Sequence, residues 1–401
     1  MIGASVRRLF TRIPSLSASD CPEPSPGPFE SYRSRSRFGS LDGLRFLCIS
    51  AVLWHHLPYR EQMADVARIL TRGFAGVDFF FVLSGFLITT LLMREASANG
   101  RFSLSGFYKR RALRILPVYF LLISTVGAYY IWIKGQAIYI DYMPFYYLFM
   151  ANFLIDDLPL LGPTWSLSVE EQYYLLWPLI LMLLPRPALV PALGLSVILC
   201  TIAGTEAFGI FGIHGIDLGL IRLSMPPYSP ILIGSALAVI LHDRRSFAMI
   251  WPVLGHRLAA PVSFATLVVL WQVLPENLLG WPNLVMHLTM AACLASIAMR
   301  EDHPMAGLLR FGPVARIGMV SYGIYLYHLI ALHFANMLGG DGGWPRSASA
   351  STRAASSPWR TDAPMAVIGA VSRVSCGLIA GQEGEGKLSA RMPRLQGAPE
   401  R

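Results

Sequence analysis

Lysine is almost absent: only Lys109, Lys134 and Lys387 occur in 401 residues. Charge of either sign is thin as well, with 14% of residues charged against 54% hydrophobic, where soluble domains carry about 25% charged residues. That balance excludes an ordinary soluble globular domain and leaves a polytopic membrane protein. Cysteine is scarce too. Cys21, Cys48, Cys200, Cys293 and Cys376 contain no CxxC pair, and three of them lie inside apolar stretches, which argues against a disulfide framework or a metal site. The net charge is +9, but the basic residues fall between apolar segments, no nucleic-acid module is present, and nucleic acid is excluded as an expected partner. Residues 1–40, with CPEPSPGP and SYRSRSRFGS, lack the apolar core of a signal peptide and are expected to form a disordered cytoplasmic tail.

What the chain does have is long apolar runs. Nine of them, at about 41–58, 74–93, 112–133, 165–184, 188–212, 228–241, 259–275, 282–299 and 317–338, approach the ~20 helical residues that a bilayer core requires. The expected fold is therefore an all-α membrane protein, a bundle of about nine transmembrane helices, with 228–241 the shortest. FYYLFMANFLI at 145–155 is too short to cross and is expected to be re-entrant or interfacial. Arginine and lysine are retained on the cytoplasmic side. A cytoplasmic N-terminus places the 94–114, 242–245 and 300–316 loops inside and Asp141, Asp156 and Asp157 outside. The abundance of Arg, Ala, Gly and Pro points to a GC-rich bacterial gene. The segment 339–401 is low in complexity, and its one apolar run, at 363–371, is too short to span. It is expected to be a disordered tail, or an out-of-frame read that has replaced a final helix.

Ionisable groups inside spans are costly and need a use. In LDGLRFLCISAVLWHH, residues 41–56, Arg45 and His56 are 11 positions apart. At ~100° and ~1.5 Å per residue they share one helix face, separated by ~16 Å, so they are expected to look into one cavity at two depths, with Asp42 beside the arginine. GVDFFFVLSGFLIT places Asp78 and Ser84 in the next span, and its Gly76 and Gly85 suit close helix approach. KRRALR gathers Arg110, Arg111 and Arg114 at a span's start, where positive-inside retention explains them and phosphate binding would also use them. GPTWSLSVEEQYYLLWP sets Glu170 and Glu171 beside Trp165 and Ser166; Ser166 or Ser168 reads as a helix cap. In SYGIYLYHL, Ser321, Tyr325 and His328 share a face. No metal-ligand spacing appears.

These five blocks, in this order across about residues 40–335, resemble the acyltransferase-3 family of integral-membrane O-acyltransferases. The resemblance implies a bacterial inner-membrane enzyme that moves an acyl group, often acetyl from acetyl-coenzyme A, onto a hydroxyl of a carbohydrate or another exported molecule. It assigns essential roles to Arg45 and His56, maps the family's arginines to Arg110, Arg111 and Arg114, and points to Glu170. Family members commonly have ten spans, and no tenth is evident here. The expected mechanism has His56 as general base on the acceptor and Arg45 holding acyl-coenzyme A, with Asp42, Asp78, Ser84, Trp165, Ser166, Tyr325 and His328 in support; an acyl-histidine route stays open. Intramembrane charges also mark transporters, and an inactive remnant is a third possibility.

Overall fold

The computed structural model describes residues 27–57, 71–203, 216–223, 228–275 and 280–338. Tail residues 339–401, and with them any tenth span, lie outside the described residues.

A helix occupies each of the nine expected segments: α2 (Gly39–His55), α3 (Ala75–Asn99), α4 (Leu104–Ala128), α6 (Thr164–Leu183), α7 (Arg186–Ala203), α8 (Ser229–His242), α10 (Ala259–Val273), α11 (Trp281–Met299) and α14 (Ser321–Leu338). Short helices α1 (Pro28–Ser34), α5 (Met143–Tyr147), α9 (Arg244–Leu254), α12 (Ala306–Leu309) and α13 (Gly312–Met319) connect them. Strands β1 (Ile216–Leu218) and β2 (Ile221–Leu223) form a small antiparallel hairpin, so the fold is not wholly helical. By length and composition, α3, α4 with the π turn that follows it (Tyr129–Ile133), α7 and α11 can each cross a bilayer. Counting α9 with α10 (bent by 73°) and α13 with α14 (bent by 75°) as single broken spans raises the number from four to six. The remaining segments are short of the span length or interrupted: α2 has 17 residues and α8 has 14, and α6 carries Glu170 and Glu171. The stretch at 145–155 forms only α5 and a 3-10 turn at Ala151–Phe153.

The caps follow local chemistry. α3 stops where Gly100 takes φ 75°, the left-handed conformation glycine tolerates. The Ser103 hydroxyl accepts the Gly106 N–H at 3.1 Å and starts α4, as an N-cap should. The expected cap at Ser166 or Ser168 is corrected: α6 begins at Thr164, after Pro163, and the two hydroxyls instead donate back to the carbonyls of Pro163 and Thr164 at 3.0 and 3.1 Å.

α3 is the central post, packed between α2 and α8. Glycine is required at these crossings because any Cβ would strike backbone: at Gly76 it would lie 2.5 Å from the Cys48 carbonyl oxygen, at Gly85 2.0 Å from that of Ile231, and at Gly234 on α8 2.1 Å from that of Val82. Away from this core the bundle shows the opposite character. Leu113, Leu121, Trp132, Leu176, Met182 and Leu183 are exposed, a distribution costly in water and natural against lipid; the protein is a multi-pass membrane protein.

The N-terminal region departs from the disorder expected through residue 40. From Gly27 onward it is folded, because aromatic side chains anchor it: Tyr32 and Phe38 are buried, and the Arg94 guanidinium lies over both rings, 5.4 and 4.9 Å from their centroids.

Candidate active site

The site is built where α2, α3, α4, α6 and α14 converge. Arg45 leaves α2 toward a cavity of about 240 Å³ whose polar wall includes Ser84, Arg111, Arg114, Ser166, Glu170, Tyr174 and Tyr325, and whose apolar wall includes Phe80, Phe81 and Leu87. Asp42 orients Arg45 from one turn earlier, accepting from it at 3.0 Å while its second oxygen accepts from Arg37 at 2.6 Å. Ser84 donates to Glu170 at 2.6 Å, fixing that carboxyl against α3. The Arg111 guanidinium lies 4.3 Å from the centroid of the Tyr174 ring. Three guanidinium groups therefore face one carboxyl in the cavity wall, a surplus of positive charge that suits an anionic ligand. A smaller cavity of about 140 Å³, lined by Arg37, Asp42, Thr90 and Arg94, also shares Arg45 and continues toward the start of α2.

The arginine cluster divides. Arg111 and Arg114, three positions apart, both reach the cavity. Arg110 is rotated ~100° from Arg111; its side chain is 65% exposed and pairs with Glu95 at 3.3 Å.

His56 is placed differently from the expectation. The α-helix closes at His55, and His56 takes φ −92°, ψ 0° as its cap, so the projection from Arg45 by helical rotation ends one residue short. His56 is exposed and is not among the cavity-lining residues; the single shared slot is thereby corrected to two separate places joined by hydrogen-bond contacts. The link is α14. His56 Nδ1 lies 2.9 Å from the Val52 carbonyl oxygen and 3.3 Å from His328 Nε2. His328 Nδ1 lies 2.5 Å from the Tyr325 carbonyl oxygen. Tyr325 returns to the cavity wall, its hydroxyl 2.6 Å from that of Ser166.

The carbonyls settle the tautomers, since a carbonyl only accepts. Nδ1 of each imidazole carries hydrogen. In the neutral ring the lone pair of His328 then faces His56, and that of His56 lies on its Nε2.

Among the other expected residues, Trp165 packs edge-on against Phe81, with centroids 6.1 Å apart, and so supports the apolar wall. Ser321 lines the cavity. Asp78 does not reach it: its carboxylate lies 3.6 Å from Nε2 of His287 on α11, an imidazole only 2% exposed, whose Nδ1 is 3.4 Å from the Ser229 hydroxyl. Tyr174 is a cavity residue that sequence reasoning passed over, although its place one turn after Glu170 puts it on the same face. His287 carried no sequence signal beyond being a histidine in a span.

A family profile described as "Acyltransferase domain" matches residues 38–378. The chain is 29% identical over 328 residues to the peptidoglycan O-acetyltransferase OatA of Listeria monocytogenes, covering 74% of this chain and 49% of that protein. It is also 29% identical over 337 residues to O-acetyltransferase OatA of Staphylococcus aureus, covering 74% and 51%. A similar 29% over 320 residues relates it to the putative peptidoglycan O-acetyltransferase YrhL of Bacillus subtilis, covering 72% and 47%. The chain spans about half the length of these curated relatives. No solved structure matches. With the profile match running through every block that builds the cavity and the His56–His328 pair, the chain belongs to the acyltransferase-3 family.

Proposed function

We propose that the protein is a membrane O-acyltransferase that moves an acyl group, acetyl in the first instance, from acyl-coenzyme A to a hydroxyl of a cell-envelope carbohydrate. The names of its relatives favour a peptidoglycan sugar as acceptor. It would lie in the bacterial inner membrane with a cytoplasmic N-terminus and about nine crossings, the shorter helices spanning with their bent neighbours. The observation that carries this reading is the arginine-rich cavity tied to an exposed imidazole through His328 and Tyr325.

Acyl-coenzyme A is polyanionic, and Arg45, Arg111 and Arg114 supply fixed cations for its phosphates, with the smaller cavity at Arg37 extending the same surface. The apolar wall at Phe80 and Phe81 suits the acyl arm. Nε2 of His56 takes the proton of the acceptor hydroxyl; the oxygen attacks the thioester carbonyl; the carbon–sulfur bond breaks; and the imidazolium returns its proton to the departing thiolate. An imidazole with a reference pKa of ~6.5 is matched to this task.

The test is transfer in proteoliposomes, with labelled acetyl-coenzyme A and a glycan fragment. His56→Ala is expected to lose at least ~10²-fold, the scale of general-base catalysis, while inserting normally. Turnover comparable to the parent in that variant would sink the reading, as would solute flux that needs no acceptor, which would mark a transporter.

A further inference from the structure

The Val52 carbonyl and His328, both against His56 Nδ1, have defined hydrogen-bond directions, and the sequence of donors and acceptors extends beyond them. His328 is fully buried on α14, with its ring centroid 4.7 Å from that of His56 and the planes at 64°. The rings are tilted edge to face and not stacked, and the nitrogens that approach are His328 Nε2 and His56 Nδ1, 3.3 Å apart. The Tyr325 carbonyl accepts from His328 Nδ1, which obliges Nε2 to be the acceptor. Nε2 in turn meets the hydrogen of His56 Nδ1, which the Val52 carbonyl shares. Reversing either hydrogen would set a lone pair against a carbonyl oxygen, so the order Tyr325 carbonyl, His328, His56 has one polarity.

We propose that His328 is the positioning residue for His56: a neutral imidazole that holds the His56 ring in its Nδ1–H tautomer and receives that hydrogen more strongly when His56 becomes imidazolium during transfer. The inference rests on the role given to His56 above. In hydrolases with a serine–histidine–aspartate triad a carboxylate performs this task. Here a second imidazole lies against His56 Nδ1, tied to the cavity wall through Tyr325. An uncharged partner has a physical advantage at this depth, since it orients the base without adding an ionised group to a buried site. No proton leaves His56 toward His328: the proton taken from the acceptor resides on His56 Nε2 until it passes to the thiolate.

Two amide side chains separate this role from packing. The amide nitrogen of asparagine can replace Nδ1 and donate to the Tyr325 carbonyl, but asparagine has no acceptor at the Nε2 position; glutamine places its oxygen there. In reconstituted protein His328→Asn is expected to lower kcat about 10- to 100-fold, the scale of one hydrogen bond to a charged group, with KM for acetyl-coenzyme A changed by less than about 3-fold, and His328→Gln is expected to recover most of the loss. Equal impairment in the two variants, or parental kcat in His328→Asn, would overturn the role. If His56→Ala is inactive while His328→Asn is unaffected, this inference fails alone; if His56→Ala is active, the functional reading fails with it. Nitrogen-15 NMR of histidine-labelled parent protein in nanodiscs gives a reading that needs no stable His328 variant. Both rings should show the Nδ1–H tautomer when neutral, and Nε2–H at His56 would refute the proposal.

Discussion

Arg110 and Arg111 are neighbours in sequence and opposites in setting. Arg110 is mostly solvated and paired with Glu95, so its removal should change little; exposed pairs contribute about 0–1 kcal/mol. Arg111 lines the cavity against the Tyr174 ring. Arg111→Gln is expected to raise KM for acetyl-coenzyme A about 10-fold or more, the effect of one charge-assisted contact, while Arg110→Gln stays within about 2-fold. Initial-rate kinetics on the two variants decides this, and equal effects would show that the cluster acts only through net charge. The sequence brought both arginines forward with equal weight because residues 110, 111 and 114 all meet helical spacing. Which of the three turns inward depends on where α6 sets Tyr174 and Glu170, and that is a property of packing.

At the scale of elements, the α3–α8 crossing depends on backbone meeting backbone. Gly85→Leu would drive a side chain into the Ile231 carbonyl, where even a Cβ sits at 2.0 Å; relief requires the helices to separate. Overpacking a core costs about 1–3 kcal/mol where side chains can yield, and backbone yields less. The variant should show a clear fall in apparent Tm in detergent, with recovery only if α8 is redesigned. Gly100→Ala, at a helix end with nothing within 4 Å, should carry only the smaller cost of a left-handed φ. The junction between α11 and α12 offers a pH test. His303 is buried, with its Nε2 3.2 Å from the Ser40 hydroxyl, and burial, with Arg310 nearby, holds its pKa below the ordinary value. The folded protein resists protonating this ring, whereas the unfolded chain accepts a proton near pH ~6.5. Stability is therefore kept above that pH and lost as the pH falls below it. His303→Gln should shrink the difference in apparent Tm between pH 7.5 and pH 5.5; an unchanged difference would exclude His303 as a contributor.

For the molecule as a whole, the proposed orientation sets the loop after α3 on the cytoplasmic side and the loop after α4 outside. With the five native cysteines replaced by serine, Ile138→Cys, on an exposed turn, should react with a membrane-impermeant maleimide in intact spheroplasts. Ala98→Cys should react only after lysis. The reverse pattern would invert the topology.

The amino-acid sequence by itself determined the membrane character, the positions of nine helical segments and the residues Arg45, Arg111, Arg114, Ser84 and Glu170 that meet at the cavity, because hydrophobic runs and costly charges are written locally. Tertiary structure alone decided that Asp78 pairs with His287, that Arg110 turns outward, and that His56 stands outside the cavity against His328 on the last described helix. The reason is distance along the chain: α2 and α14 are separated by more than 260 residues. Helical periodicity fixes angles only within one helix, whereas the meeting of two imidazoles from different helices is set by how all the intervening elements pack.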